Sequence, residues 1–467
     1  MLCCNKAVAQ GNTPMPQEDS VIRLPTVRVD KVFIVGNRKT KEKIILREMH
    51  VKEGDALERE ELIQQLEKDK GNILNTRLFL SVYTNVIEVK PNVVDVIVRV
   101  SERWYLFPSP IFELADRNFN DWWVNHNRDL SRINYGLKLY RYNMRGANET
   151  LKLMAQFGYT KKFQVMYAFP YINAAQKVGM SLVAEHVEND NFSFKTIGDK
   201  QKDLSFLETR KWLLKETRLG VKFSYRRSFY NSNFLSLDYF HNRIKDTVAV
   251  LNPDYFLDGR LKQQYFRLQY TFVRDLRDVS AYPLQGFLIK FNITKLGIGV
   301  FDDINQLDLG ANYAQFLDLG NGFYYSTEVG GMVSFPKKQP YHNFNALGFE
   351  PYDIRGYELF VIEGQHLFYN RNTLKLLVFQ KNFNNRLVPI RQFQSFPISI
   401  YMKSFLDVGY VKNSATIPEG TRFVNTPLIG GGFGFDIVTY YDMSVRLEYS
   451  VNKASESGFV LGIRRTF

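Results

Sequence analysis

The chain has 467 residues, with 61 Lys and Arg against 48 Asp and Glu and a net charge of +13. The basic residues are spread along alternating segments rather than massed on one module, which argues against a nucleic-acid partner. No run of about 18 apolar residues occurs, so no transmembrane helix is expected, while 38 Phe and 27 Tyr favour β structure and membrane interfaces.

Residues 1–26 read as a signal-peptide remnant and flexible lead-in. Ala7-Val8-Ala9 has the small-x-small spacing of a processing site, without an apolar stretch before it, and Pro14, Pro16 and Pro25 follow. Cys3 and Cys4 are the only cysteines. Adjacent cysteines rarely bridge and offer no metal spacing; lipidation at either is left open.

Residues 27–103 read as one small α+β domain. A strand over 27–35 ends at the turn pair Gly36-Asn37. Thr40 is a plausible N-cap for a helix carrying Ile44, Ile45 and Met49. A second helix over 57–68 places Leu62, Ile63 and Leu66 at helical spacing, and strands over 81–89 and 93–100 follow, the last alternating Val94, Val96, Val98 and Val100.

From 108 to 467 helical patterns give way to about sixteen strand-length alternating segments, the stretch 189–218 being the least regular. About 22 residues per strand and connection suits membrane strands of about 9–11 residues joined by short turns and longer loops. The longest link is 335–363. A soluble sandwich or a propeller is the plainer reading of an all-β chain, but no repeat of about 40–50 residues is visible. Asp275-Leu276-Arg277-Asp278, with Tyr282-Pro283 and Gly286, reads as a charged turn before a strand or simply as a polar hairpin. Gly430, Gly431, Gly432 and Gly434 precede no helix, so they form no phosphate loop; they suit a strand that bends or has loop backbone packed against it. No nucleophile elbow or histidine metal pair appears. No enzyme activity, cofactor or metal is expected.

Two segments carry the strongest signal. Ile354-Arg355-Gly356-Tyr357 places an arginine in the long link. Phe405-Leu406-Asp407-Val408-Gly409 places an aspartate on one face of a strand. A buried arginine needs a carboxylate, and Asp407 is expected to face an interior. These two segments resemble the signature of the outer-membrane superfamily of POTRA-plus-barrel insertases and translocases, the family of BamA, TamA and the two-partner-secretion transporters. Gly36-Asn37-x-x-Thr40 and Leu78-Phe79-x-x-Val82 resemble one POTRA domain. The end, Gly462 to Phe467, resembles a barrel assembly signal, although Arg465 stands where an aromatic is usual.

The resemblance implies a mainly β chain: a sixteen-stranded antiparallel transmembrane β-barrel in the bacterial outer membrane, preceded by a POTRA domain in the periplasm. It implies that Arg355, with Gly356 and Tyr357, locks a loop onto Asp407 beside Gly409, and that Glu448 joins that network. Gly36, Asn37, Thr40, Phe79 and Val82 would build the POTRA domain. The barrel would close between strands near 131–142 and 459–467. The implied partners are outer-membrane lipids, unfolded client polypeptides and periplasmic or lipoprotein partners. The implied task is assembling or inserting outer-membrane proteins, with polypeptide secretion or a passive pore as alternatives.

Overall fold

The computed structural model describes residues 26–465 except 117–118, 174, 176, 206–211, 229, 302, 345, 350, 385–394, 416 and 440–442. Cys3, Cys4, the leader-like segment and Phe467 lie outside the described residues.

The N-terminal domain runs β1 (Thr26–Val35), α1 (Glu42–Leu46), β2 (Ala56–Glu58), α2 (Arg59–Asn75), β3 (Phe79–Lys90) and β4 (Val93–Glu102). The sheet order is β2-β1-β4-β3, with β1 and β4 parallel. The alternating valines Val94, Val96, Val98 and Val100 face the helices and pack with Val29, Ile44, Ile45, Leu62, Leu66, Ile73, Phe79 and Val82 in one core. Two local expectations change. Helix α2 continues past residue 68 because buried Asp69 accepts from the backbone N–H groups of His50 and Val51 at 2.7 and 3.0 Å, fastening the helix to the preceding loop. Ile63, expected beside Leu62, points outward instead.

Thr40 does not cap α1, whose N-cap is Lys41. It is buried and fully engaged elsewhere. Its hydroxyl donates to Glu102 Oε1 at 2.6 Å, lies 2.9 Å from the Tyr105 hydroxyl, and accepts from Asn143 Nδ2 at 2.8 Å. Thr40 therefore ties the domain to the turn that follows the second strand, Ile133–Arg141, of the large sheet. Lys41 N–H to the Gly146 carbonyl (2.9 Å), Arg226 to Glu48 (3.0 Å) and Arg77 to Ser280 (3.1 Å) extend that seat. Asn37 Nδ2 donates to the Thr40 carbonyl at 3.0 Å and holds the preceding turn.

The remainder is one antiparallel sheet of sixteen strands, each paired with its neighbour in sequence, from Leu106–Leu114 to Ser457–Arg465. Its first strand precedes the one expected over 131–142. Proline at 108 and 110 disguised it, although proline is tolerated where a strand has a free edge. The irregular stretch after Asn189 forms a separate hairpin, Asn191–Ile197 with Lys200–Ser205, outside the large sheet. No ladder between the first and last strands falls among the described residues.

Alternation decides which way each strand faces. On Ser395–Lys412, Tyr401, Lys403, Phe405, Asp407 and Val411 are buried, whereas Met402, Leu406, Val408 and Tyr410 are exposed. The exposed side of the sheet is apolar across many strands, including Leu219, Phe223, Leu235, Leu317 and Phe433. The buried side carries the charges. This inversion of the water-soluble pattern suits a wall surrounded by hydrocarbon.

Gly36 has φ +99°, and a Cβ there would lie 2.1 Å from the Val100 carbonyl oxygen. Gly36→Ala should destabilise the N-terminal domain by about 2 kcal/mol or more. The expected result is faster proteolysis within residues 26–102 of the full chain, with the heat-dependent gel shift of the barrel unchanged.

Candidate functional site: a loop locked inside the barrel

The long link leaves the strand Phe323–Phe335 and returns at His366–Asn384. Between them the chain folds back against the inner wall. Leu347, Ile354, Tyr357, Phe360 and Ile362 pack with Met332, Leu367, Tyr369, Val411, Phe423 and Leu428. Apolar side chains thus seat the loop, and one cation sits at its centre.

Arg355 is 9% exposed and Asp407 0%. Arg355 Nε donates to Asp407 Oδ2 at 2.7 Å and Nη2 to Oδ1 at 2.5 Å, a two-pronged ion pair. The Arg355 backbone N–H adds a third bond to Oδ2 at 3.1 Å. Nη1 donates to Thr373 Oγ1 (3.0 Å) and Nη2 also to the Asn372 carbonyl (3.1 Å). The guanidinium lies 4.0 Å above the Phe405 ring centre. The planar fork is therefore matched on its edges and covered on a face, as a buried arginine requires.

Glycines clear the space. A Cβ at Gly409 would lie 1.9 Å from Ile354 Cδ1, and one at Gly430 would lie 1.8 Å from the Arg355 carbonyl oxygen. Of the two explanations for the glycine-rich strand, close loop backbone accounts for Gly430. Gly356 has φ +92°, which favours glycine; its carbonyl accepts from Asn452 Nδ2 at 3.0 Å and its N–H donates to Glu358 at 2.9 Å. Buried Tyr357 bridges to the Ile429 backbone, donating to its carbonyl at 3.3 Å and accepting from its N–H at 3.2 Å.

Glu448 does not touch Arg355. It pairs with Lys403 Nζ at 2.6 Å, and Lys403 also holds Asp436. Tyr282 donates to Asp436 Oδ2 at 2.8 Å. The charged turn after Asp275 therefore does more than link two strands. Arg277 pairs with Asp275 at 2.6 Å, and Tyr282 from the same turn enters the interior and fastens to the late strands. Lys403 lies four residues before Asp407 on the same face, so this second ionic group adjoins the lock. A cavity of about 310 Å³ is lined by Arg355 of the lock and by Lys403, Asp436 and Glu448 of the second group. Sequence reading missed Lys403 and Asp436, and placed Tyr282 in the charged turn without its contact to Asp436. Inward-facing alternation marks the first two, but nothing local reveals that contact.

Other buried contacts close over the loop. Asp199, at the tip of the separate hairpin, accepts from Arg422 N–H at 2.6 Å and from the Thr421 hydroxyl, and its carbonyl accepts from Val361 N–H at 2.8 Å. Arg371 bridges Glu328, at 2.8 Å, and Asp353 on the loop. Asp116, Asp121 and His126 bring ligand-type atoms within 4.8 Å of one another. The Arg132 guanidinium already occupies Asp116 at 2.5 Å, so a cation there would face a positive charge. At the other end, Gly462 lies against the Arg446 guanidinium.

Arg355→Ala would leave Asp407 buried without its counter-charge, a loss of about 3–5 kcal/mol. Protease cleavage within 346–363 should appear in folded protein, and Arg355→Lys, which lacks the fork, should be intermediate. Glu358 lies on the loop, not on a spanning strand, and burial raises its carboxyl to about 7. A raised carboxyl favours the docked loop fully below about 4.5, and that contribution is lost as pH rises through about 7. Loop cleavage should therefore increase between about pH 5 and pH 8, and Glu358→Gln should flatten the profile.

A family model described as the Omp85 superfamily domain matches residues 143–463, and one described as the surface antigen variable number repeat, a POTRA domain, matches 27–103. Among solved structures the chain is similar to BamA from Haemophilus ducreyi lacking POTRA domains 1–3, at 15% identity and a TM-score of 0.54 over 93% of this chain and 83% of that one. It is also similar to CdiB from Escherichia coli, at 13% identity and a TM-score of 0.57 over 94% and 75%. A comparison with CdiB from Acinetobacter baumannii gives 13% and 0.52 over 94% and 73%. No curated protein matches. With a sixteen-stranded sheet, an N-terminal POTRA domain and a family match over most of its length, the chain belongs to the Omp85 superfamily of outer-membrane proteins.

Proposed function

We propose that this protein assembles or inserts other outer-membrane proteins, with its POTRA domain in the periplasm. The supporting observation is the buried Arg355–Asp407 pair, which holds a long loop inside the lumen. A passive pore has no use for a cation buried at that cost, whereas a machine that must hold its interior in one arrangement does. Strand β3 is an edge of the POTRA sheet. Its free backbone groups, with exposed Tyr83, Ile87 and Val89 beside them, suit addition of an unfolded client strand.

The first barrel strand supports a sideways-opening seam. Tyr142 N–H donates to the Tyr105 carbonyl at 2.7 Å and Ala115 N–H to the Arg132 carbonyl at 2.8 Å. Odd-numbered residues of this strand thus direct their backbone groups to the second strand, and even-numbered ones to the free edge. Pro108 and Pro110 are even-numbered and carry no N–H. That edge lacks two consecutive donors, so a ladder formed on it is weaker and more easily exchanged for a client's strand. Secretion of a polypeptide through the lumen is the second reading. The cavity beside the lock, lined by Arg355, Arg371, Lys403 and Asp436, favours it, because moving the loop would extend a charged passage.

Reconstitution into liposomes with an unfolded outer-membrane barrel as client tests the proposal. Client folding should accelerate, Arg355→Ala should reduce the acceleration by about tenfold, equal to ~1.4 kcal/mol of barrier, and Pro108→Val with Pro110→Val should slow it by strengthening the edge. Ion conductance without accelerated folding would reject the insertase reading.

A further inference from the structure

The lipid-facing wall contains one apolar groove of about 910 Å³ on the strands from Gly286–Leu296 to Ser395–Lys412. Strand register explains it. Phe291, Ala311, Gly331, Phe368 and Tyr410 form a single row across five neighbouring strands. The row has aromatic walls and a floor of two small residues. Gly331 admits no side chain, since a Cβ would lie 2.7 Å from the Leu367 carbonyl oxygen. Ala311 completes the floor without such a constraint. One row towards the loop end, Lys412 lies opposite His366, and both line the groove. Lys412 is exposed at its strand's end and has no acidic partner among the described residues.

We infer that this groove binds one acyl chain of an anionic membrane lipid, with the headgroup phosphate at Lys412. The groove opens onto hydrocarbon, and a flexible acyl chain fits a trough floored by Ala311 and Gly331. The Lys412 ammonium at its end selects the headgroup, because a cation at the interface attracts anionic lipid. Aromatic side chains on both sides confine the chain laterally, which a plain barrel wall does not.

Native mass spectrometry of the purified full chain tests this, using phosphatidylglycerol and phosphatidylcholine with identical acyl chains. Wild type should retain phosphatidylglycerol about fivefold more. Lys412→Gln should lose that preference while still retaining lipid. Ala311→Trp, which fills the floor, should lose retention of both lipids. Ala311→Leu serves if the tryptophan variant fails to show the heat-dependent gel shift of a folded barrel. Equal retention of both lipids by wild type, or unchanged retention in the folded floor variant, would overturn the inference. A dimer peak abolished by the floor variant would do so too, by assigning the groove to a second copy of this chain.

Discussion

A guanidinium cannot leave water cheaply, and that constraint organises the interior of this barrel. Arg355 sits at the centre of a loop whose flanking residues are apolar. Docking those residues against the wall buries the cation with them. Asp407 meets it through two side-chain bonds, and Thr373, Asn372 and Phe405 satisfy or cover most of what remains. The loop is then held in one position, because few other placements would satisfy the fork. Gly409 and Gly430 follow from this, since their missing side chains let the loop approach.

The lipid outside and the loop inside impose complementary demands on the same strands. Hydrocarbon accepts no unpaired backbone group, so the wall is a continuous ladder with an apolar outer face. Charged residues in the middle of the spanning strands are then driven inward, where each needs a partner. Asp238 takes Arg218 and Arg267, Lys403 takes Asp436 and Glu448, and Arg371 takes Glu328 and Asp353. These clusters draw together distant parts of the chain. Tyr282 brings a turn to the late strands, while Asp199 brings a separate hairpin over the loop. The POTRA domain is anchored to the same rim by Thr40, Glu48 and Arg77, so its position and that of the Tyr282 turn are physically linked.

Much of this was legible in the sequence. Period-two alternation reveals membrane strands and assigns Asp407 to the inner face, because neighbouring side chains on a strand point to opposite sides. The Gly36-Asn37 turn, the valine row of β4 and the long link containing Arg355 are equally local signals. What alternation cannot supply is a choice among inward-facing partners. Glu448 shares the interior with Arg355 but goes to Lys403, because strand register and stagger set which charges meet. Thr40 looks like a helix cap and becomes an interdomain tether, because Glu102, Tyr105 and Asn143 converge on it from residues far along the chain. The sequence alone determined that this protein is a lipid-facing wall with a cation to bury, through the side-chain periodicity of its strands. Only the tertiary structure decided which anion receives each cation and where glycine must yield space, because those outcomes depend on distances between segments that the chain brings together by folding.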